Sequence, residues 1–550
     1  MSSLQRLPIQ GMTCEHCEKT VAEALTAAGA SNVRADYRKG EALLDPSGAT
    51  ESQLRAALKQ VGYRAGTLEP VAEEPTGPKA GRGQGGGQYD LAVIGSGSAA
   101  FAAAIRARDF DARVALIEAN TIGGTCVNVG CVPSKAMLAA AEAYDRARSN
   151  PFPGITTQGG GIDLTALVDG KNELVEFLRK SKYVDLAESY GFDLVRGEAS
   201  FQDNHTVAVD GRSILADAIL IASGASPAVP PIPGLADAGY LTSTTALELT
   251  ELPTHLIVIG ANAVGLELGQ LFLHLGSRVT FLDMAARIAP GEEPEISETL
   301  ADVLRDEGAE INTSVKVLRV TRKGDERTVH FRVGSRERAM TGTHVLVATG
   351  RRPNTNELGL DRVGVAVTDI GAVAVDETLR TTVPNIFGAG DAAGLPQFVY
   401  VAAKSGALAA DNALRDAHVK LDLSALPRIT FTRPQIASAG LTDEQVNANG
   451  YLCECRTMPL DALPRALVNR DTRGLFKMVA ERETGKVLGV SILAENAGDV
   501  ILSAVYAIQF GATVQQLADS WGPYLTMGEG IKLVAQTYTR DIAKLSCCAA

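Results

Sequence analysis

Two stretches of the chain share one pattern: a short apolar run, a glycine turn, and a longer segment whose apolar positions recur at helical spacing. They run from Tyr89 to Arg108 and from His255 to Gly276. A strand without polar alternation that passes through glycines into a helix opens a βαβ unit, its strand buried on both faces of a parallel sheet. Two dinucleotide-type folds are therefore predicted. After Arg428 the pattern changes to β-branched runs, ITFT, LFKMVA and VLGVSIL, followed by helical stretches, which predicts an α+β closing domain. From Glu69 to Gln88 the sequence EPVAEEPTGPKAGRGQGGGQ has almost no large apolar side chain, so it is read as a flexible tether.

The chain of 550 residues with 45% apolar side chains has room for several cores. A formal net charge of -12 leaves no surplus of lysine and arginine to neutralise phosphates, which makes nucleic acid and anionic membranes poor partners. The beginning, MSSLQRLPIQG, lacks the basic and apolar regions of a secretory signal, and the uncharged stretch from Asp499 to Asp519 is too polar for a span. The expected location is the cytoplasm.

At the first βαβ opening, Gly95-x-Gly97-x-x-Ala100 precedes Glu118 at the end of VALIE, 23 residues after Gly95. Small residues let a pyrophosphate approach the helix N-terminus, and the acid accepts from ribose hydroxyls. At the second, Gly260-x-Asn262-x-x-Gly265 precedes Asp283, again 23 residues on. Asparagine tolerates positive φ, which is taken to explain its replacement of the middle glycine. Asp283 suits the free 2′-hydroxyl of NADH, whereas Arg278 or Arg287 would have to offset it for NADPH; both arginines also read as solvated side chains at an element's end.

The eight cysteines fall in close pairs: Cys14/Cys17, Cys126/Cys131, Cys453/Cys455 and Cys547/Cys548. In a large chain without a secretory signal such spacings indicate metal or redox chemistry. Pro133 suits a first helical turn, so Cys131 is predicted near a helix N-terminus, where the dipole and Lys135 favour its thiolate. The adjacent thiols Cys547 and Cys548, near the end of the sequence, suit a soft cation bound linearly by two thiolates, as Hg(II) is. Cys14-Glu15-His16-Cys17 before a helical stretch can chelate a soft cation, with His16 read as solvated. Cys453 and Cys455 point to one face of a strand, where they either bind metal or are incidental thiols.

The segment Gly123-Gly-Thr-Cys-Val-Asn-Val-Gly-Cys-Val-Pro-Ser-Lys135, with Thr349-Gly-Arg-Arg-Pro-Asn354 and Gly388-Ala-Gly-Asp391, resembles the flavoprotein disulfide reductases, class I pyridine nucleotide-disulfide oxidoreductases, from Tyr89 onward. The resemblance implies FAD at the first nucleotide site, with Asn120, Thr125, Lys135, Ala199, Asp391 and Val399 along it, and NADPH, or NADH, at the second. It implies Glu267 as the carboxylate partner of Lys135, and a redox pair in which Cys131 lies nearer the flavin and Cys126 exchanges with substrate. Relatives that reduce organic disulfides carry a catalytic His where this chain has Tyr524, and a tyrosine with an ordinary pKa near 10 is no neutral-pH base. The expected substrate is therefore Hg(II), presented as thiol complexes, passed from Cys547/Cys548 to Cys126/Cys131 and flanked by Tyr183 and Tyr524. The head resembles a heavy-metal-associated domain.

These readings give an α/β fold class: a ferredoxin-like βαββαβ domain over 1–68, a linker over 69–88, and a FAD-binding domain in two parts, 89–236 and 348–425. A second Rossmann-like domain for NAD(P) spans 237–347. A dimerisation domain over 426–550 makes a homodimer with shared active sites. No membrane span or nucleic-acid partner is expected.

Overall fold

The structure is a computed structural model that describes residues 5–10, 12, 15–37, 40–70 and 88–541. The chain forms two compact units, divided between Arg82 and Gly83. In the first, β1 (Gln5–Gln10), α1 (Glu15–Ala27), β2 (Ser31–Asp36), β3 (Glu41–Asp45), α2 (Glu51–Gln60) and β4 (Arg64–Ala65) follow in order. The strands pair antiparallel as β2-β3-β1-β4, the ferredoxin-like arrangement. Leu7, Leu25, Leu44, Leu54 and Leu58 are fully buried between sheet and helices, each contributing about 1.5–3 kcal/mol of burial free energy. Thr50 and Gln53 cap α2 reciprocally, which fixes where that helix starts. Cys17 sits partly buried in the first turns of α1, whereas Cys14 lies outside the described residues.

The second unit begins with β5 (Tyr89–Ile94), α3 (Ser98–Arg108) and β6 (Val114–Glu118). Two helices bear the cysteine segment, the single turn α4 (Gly124–Asn128) and the long α5 (Cys131–Arg148). The first parallel sheet runs β7 (Asp193–Arg196), β6, β5, β8 (Arg212–Ile221), and β13 (Ile386–Gly388) pairs with β8. The second parallel sheet comprises β9 (His255–Ile259), β10 (Arg278–Leu282), β11 (Glu310–Asn312) and β12 (His344–Val347), in the order β11-β10-β9-β12. Every residue of β9 is buried, as expected for a strand covered on both faces. Helix α6 (Ala263–His274) follows it. One strand of the first sheet is thus supplied about 300 residues after the sheet's first strand begins, because the second nucleotide fold is inserted within it.

Helix α7 (Val399–Arg415) packs along α3 and leads to the closing domain. There β14 (Pro427–Thr430), β15 (Gln435–Gly440), β16 (Cys453–Pro459), β17 (Leu475–Glu481) and β18 (Val487–Ala494) form an antiparallel sheet ordered β14-β15-β18-β17-β16. Helix α8 (Asp443–Ala448) lies before β16, and α9 (Ala497–Gln509) and α10 (Glu529–Gln536) complete the core. The ITFT run is only half strand, since β14 stops at Thr430 and Phe431–Arg433 turn onto α6. This domain docks on the second sheet's domain through Lys477, 2% exposed, which donates to Glu293, Glu295 and Asp443 at 2.9 Å each. Gln270 of α6 completes the docking by accepting from Arg433 N at 2.7 Å and donating to Arg433 O at 2.8 Å. Among the described residues, no helix is long and apolar enough to cross a membrane.

Candidate active site

Glu118 ends β6 with its carboxylate accepting from Ser96 Oγ and from Asn120 N at 2.7 Å, so it is held at the mouth of the β5–α3 turn. Ile94, Gly95, Glu118, Asn120 and Ala199 border a cleft of about 760 Å³. The turn stays open because Gly124, at φ +64°, would carry a Cβ only 2.5 Å from the Cα of Gly97. Backbone therefore packs on backbone at the head of α3, and Ala100 is fully buried behind it. Such a cradle, with a fixed acid at the end of the adjacent strand, fits an adenosine diphosphate moiety.

A second cavity of about 410 Å³ carries the chemistry; Gly97, Thr125, Cys126, Cys131, Lys135, Glu267, Asp391 and Val399 line it. Cys131 is the first residue of α5 and Cys126 lies at the middle of α4, a short helix that the apolar pattern did not reveal. Their thiols hydrogen-bond. That bond, the Lys135 ammonium and the backbone at the start of α5 bring the Cys131 thiol down to about 7 against its burial, while Cys126 is held protonated by the same bond and by burial. The pair is thus asymmetric.

Lys135 Nζ donates to Glu267 Oε2 at 2.7 Å and stands 4.5 Å above the Phe431 ring. The other oxygen, Glu267 Oε1, accepts from Phe431 N at 2.9 Å. Tyr183, in a π-helical turn over Lys180–Val184, packs edge-on against Phe101 at 4.8 Å with its ring 3.4 Å from where a Gly123 Cβ would stand. Burial raises its phenol pKa.

Three side chains at this cavity escaped the sequence reading. Arg351 donates to Ala225 O and, at 3.3 Å, to Thr125 Oγ1, with Nε 3.8 Å from Asp391. Burial lowers the arginine and raises Asp391, which the arginine's charge opposes. Tyr400 donates to Pro427 O at 2.5 Å, and burial lifts its hydroxyl to about 12. Phe431 is the third. Only Arg351 had a signal, its place in the Thr349–Asn354 motif.

At the second nucleotide fold the account of Asn262 needs correction. Its φ is -105°, extended rather than left-handed, and it serves as the N-cap of α6, accepting from Ala263 N at 3.0 Å. Positive φ falls instead on Gly260, at +102°. Gly265 packs directly on that turn. Asp283 accepts from Ala261 N and Ala285 N, so its carboxylate is anchored beside the turn. Arg278 pairs with Glu310 at 3.5 Å and Arg287 donates to the carbonyls of Pro290 and Glu292. Both arginines are thus engaged elsewhere.

Tyr524 does not join the cavity of its own chain; it lies half-exposed before α10, where Glu529 accepts from Leu525 N at 3.3 Å. Cys547 and Cys548 lie outside the described residues.

Residues 89–406 match the family described as pyridine nucleotide-disulphide oxidoreductase, and residues 426–535 match its dimerisation domain. The mercuric reductase of Staphylococcus aureus is 47% identical over 99% of both chains. That of Streptomyces lividans is 52% identical over 84% of this chain and 98% of its own. Among solved structures, a Cu(II) complex of the HOCl-induced flavoprotein disulfide reductase RclA from Escherichia coli superposes with TM-score 0.74 at 32% identity, covering 82% of this chain and 99% of that one. A thiol pair on a nucleotide cradle, a second cradle beside it and a matching dimerisation domain lead to one assignment: the chain belongs to the pyridine nucleotide-disulphide oxidoreductase family.

Proposed function

We propose that the chain is an FAD-dependent mercuric reductase, turning Hg(II) into Hg(0) with electrons from NAD(P)H. The observation that carries this reading is the full-length likeness to mercuric reductases, joined to a cavity whose reactive groups are two soft thiols. When bound, FAD relays two electrons from the nicotinamide to the thiol site.

This chain's own side chains set the conditions. Because Cys131 is the more exposed thiol and the one brought down to about 7, it, rather than Cys126 as the resemblance implied, is taken as the first ligand for Hg(II), and Cys126 loses its proton as the second bond forms. Each protein thiolate displaces one thiol from an incoming Hg(SR)₂ complex, so the ion arrives in the cavity without leaving a two-thiolate environment. Lys135, oriented by Glu267, holds positive charge at the thiolate. Tyr183, whose phenol is kept protonated by burial and whose titration both cysteines influence, is assigned to flank the bound ion. Cys547 and Cys548 deliver the ion, and Tyr524 belongs with them in the partner's active site, which accords with its position outside its own chain's cavity. The homodimer so formed shares its active sites. Cys14 and Cys17 collect Hg(II) on the first unit. The domains are assigned as 1–68, 69–88, 89–236 with 348–425, 237–347 and 426–550, although Glu69 and Pro70 pair with Arg6 and Gln5 at the edge of the first unit's sheet. Dependence on cellular NAD(P)H and thiol-bound Hg(II) argues for the cytoplasm, and an anchored Asp283, with Arg278 paired to Glu310 and Arg287 Nη2 held by carbonyls, favours NADH alongside NADPH.

The test is NADPH and NADH oxidation by the purified flavoprotein with Hg(II) and excess thiol, compared with lipoamide and with oxidised glutathione. Hg(II) is expected to drive oxidation and the disulfides are not, and Cys547→Ala with Cys548→Ala is expected to abolish turnover of thiol-bound Hg(II). Failure of Hg(II) to elicit oxidation, or full activity in the double variant, overturns the reading.

A further inference from the structure

One thiol pair has no part in this scheme. Cys453 and Cys455 occupy alternate positions of β16, the outermost strand of the closing sheet, and so project from the same face. Their sulfurs lie 3.6 Å apart, neither side chain is fully buried, and Cys453 Sγ donates to Asn447 Oδ1 of α8 at 3.7 Å. Glu481 stands opposite Cys453 in the ladder, and Asp443 acts electrostatically on Cys455. Neither cysteine borders the cavity that holds Cys126 and Cys131.

We propose that Cys453 and Cys455 form a second, non-reducing two-thiolate site that holds Hg(II), or a cation of like softness, on the closing domain. The backbone geometry separates this from a structural disulfide. Alternate residues of an extended strand have Cα atoms about 6.6 Å apart. That is at the upper edge of what a disulfide spans, and the sulfurs would have to close to about 2 Å. A linear chelate asks for the reverse movement. With metal–sulfur bonds of about 2.3 Å end to end, the sulfurs open by about 1 Å, which relaxes side chains that lean together from Cα atoms about 6.6 Å apart to sulfurs 3.6 Å apart. Charge around the pair is mixed, since Asp443 is paired with Lys477, and Arg456 and Arg482 donate to the carbonyls of Cys455 and Cys453, so the affinity for a soft cation comes from the two thiolates themselves. The loading step is exchange without redox: Hg(SR)₂ and the two cysteine thiols give the protein bis-thiolate and two RSH, each cysteine proton passing to a departing thiolate. Burial, with Cys453 beside it, keeps the Cys455 thiol up at about 12, so the empty pair is a sluggish nucleophile that the metal must deprotonate. Lying outside the cavity of Cys126 and Cys131, the site stores the ion without reducing it.

The experiment uses the full-length, fully reduced holoenzyme, with Hg(II) buffered by excess glutathione as the probe. Maleimide labelling followed by mass spectrometry of the peptide carrying both cysteines reads the site in the wild-type protein. Labelling of Cys453 and Cys455 together is expected to slow at least about tenfold once Hg(II) is added, because a metal-bound thiolate is no longer free to attack. Equilibrium dialysis of Cys453→Ser/Cys455→Ser is expected to retain one Hg(II) fewer per subunit, with Hg(II)-dependent NADPH oxidation unchanged. Labelling indifferent to Hg(II), an unchanged stoichiometry, or a Cys453–Cys455 disulfide in place of metal uptake overturns the proposal. The labelling needs no variant to fold, and NADPH oxidation tests the reductase reading separately.

Discussion

Removing the two groups that favour the Cys131 thiolate, one at a time, tests the asymmetry of the reactive pair. The hydrogen bond from Cys126 is the larger influence and the Lys135 ammonium the smaller, both working against burial. Cys126→Ala and Lys135→Met should each raise the Cys131 pKa from about 7 towards the ordinary 9.0, and the alanine should raise it more. A complete return to 9.0 would lower the thiolate fraction at pH 7 from about one half to about one hundredth, roughly fiftyfold. A more basic thiolate is intrinsically more nucleophilic, with a Brønsted slope of about 0.4–0.5, which returns about eightfold over two pKa units. Alkylation at pH 7 should therefore slow by no more than about eightfold, while the midpoint of its pH profile moves alkaline by up to about two units. The assay is iodoacetamide labelling of the reduced protein from pH 5 to 10, followed on the Cys131 peptide. If the midpoint stays near 7 in both variants, or Lys135→Met moves it further than Cys126→Ala, the account of this pair is wrong.

Other expectations are more local. Gly124→Ala puts a Cβ against Gly97 Cα in a left-handed conformation, and the variant should purify with most of its flavin absorbance lost while keeping its far-UV circular dichroism. Lys477→Met leaves Glu293, 1% exposed, among two other carboxylates without its cation; loss of a buried partner costs about 3–5 kcal/mol, so the melting temperature should fall by several degrees. Burial already holds the Glu293 carboxyl above its ordinary range and Lys477 opposes that, so without the lysine Glu293 rises further, and the deficit should be full at neutral pH and shrink on acidification. A deficit that grows towards acid would refute the ion-pair explanation.

What could be read in the sequence was whatever repeats within a few residues. The two glycine turns, VALIE with Glu118 and the start of α5 at Cys131 are local patterns, and the structure has strands and helices where those patterns fall. The head's βαββαβ order needed its resemblance, since six short elements with few large apolar side chains carry weak periodicity. Asn262 was placed at the right point for the wrong reason: a side chain acting on the next amide and a backbone at positive φ look alike in sequence. Tyr400 and Phe431 were invisible because nothing near them announces their neighbours. Phe431 meets Glu267 across 164 residues and Lys135 across 296. Such contacts depend on how whole domains dock, which no local pattern encodes.

The single carboxylate of Glu267 grips Lys135 with one oxygen and Phe431 N with the other. Helix α5, helix α6 and the closing domain thereby meet at one side chain, and the walls of the reactive cavity come from segments separated by hundreds of residues. The cavity therefore cannot assemble piecemeal along a growing chain. It comes into being only when the third domain docks, so tight flavin retention should be among the last properties the folding protein gains and among the first it loses when the closing domain loosens.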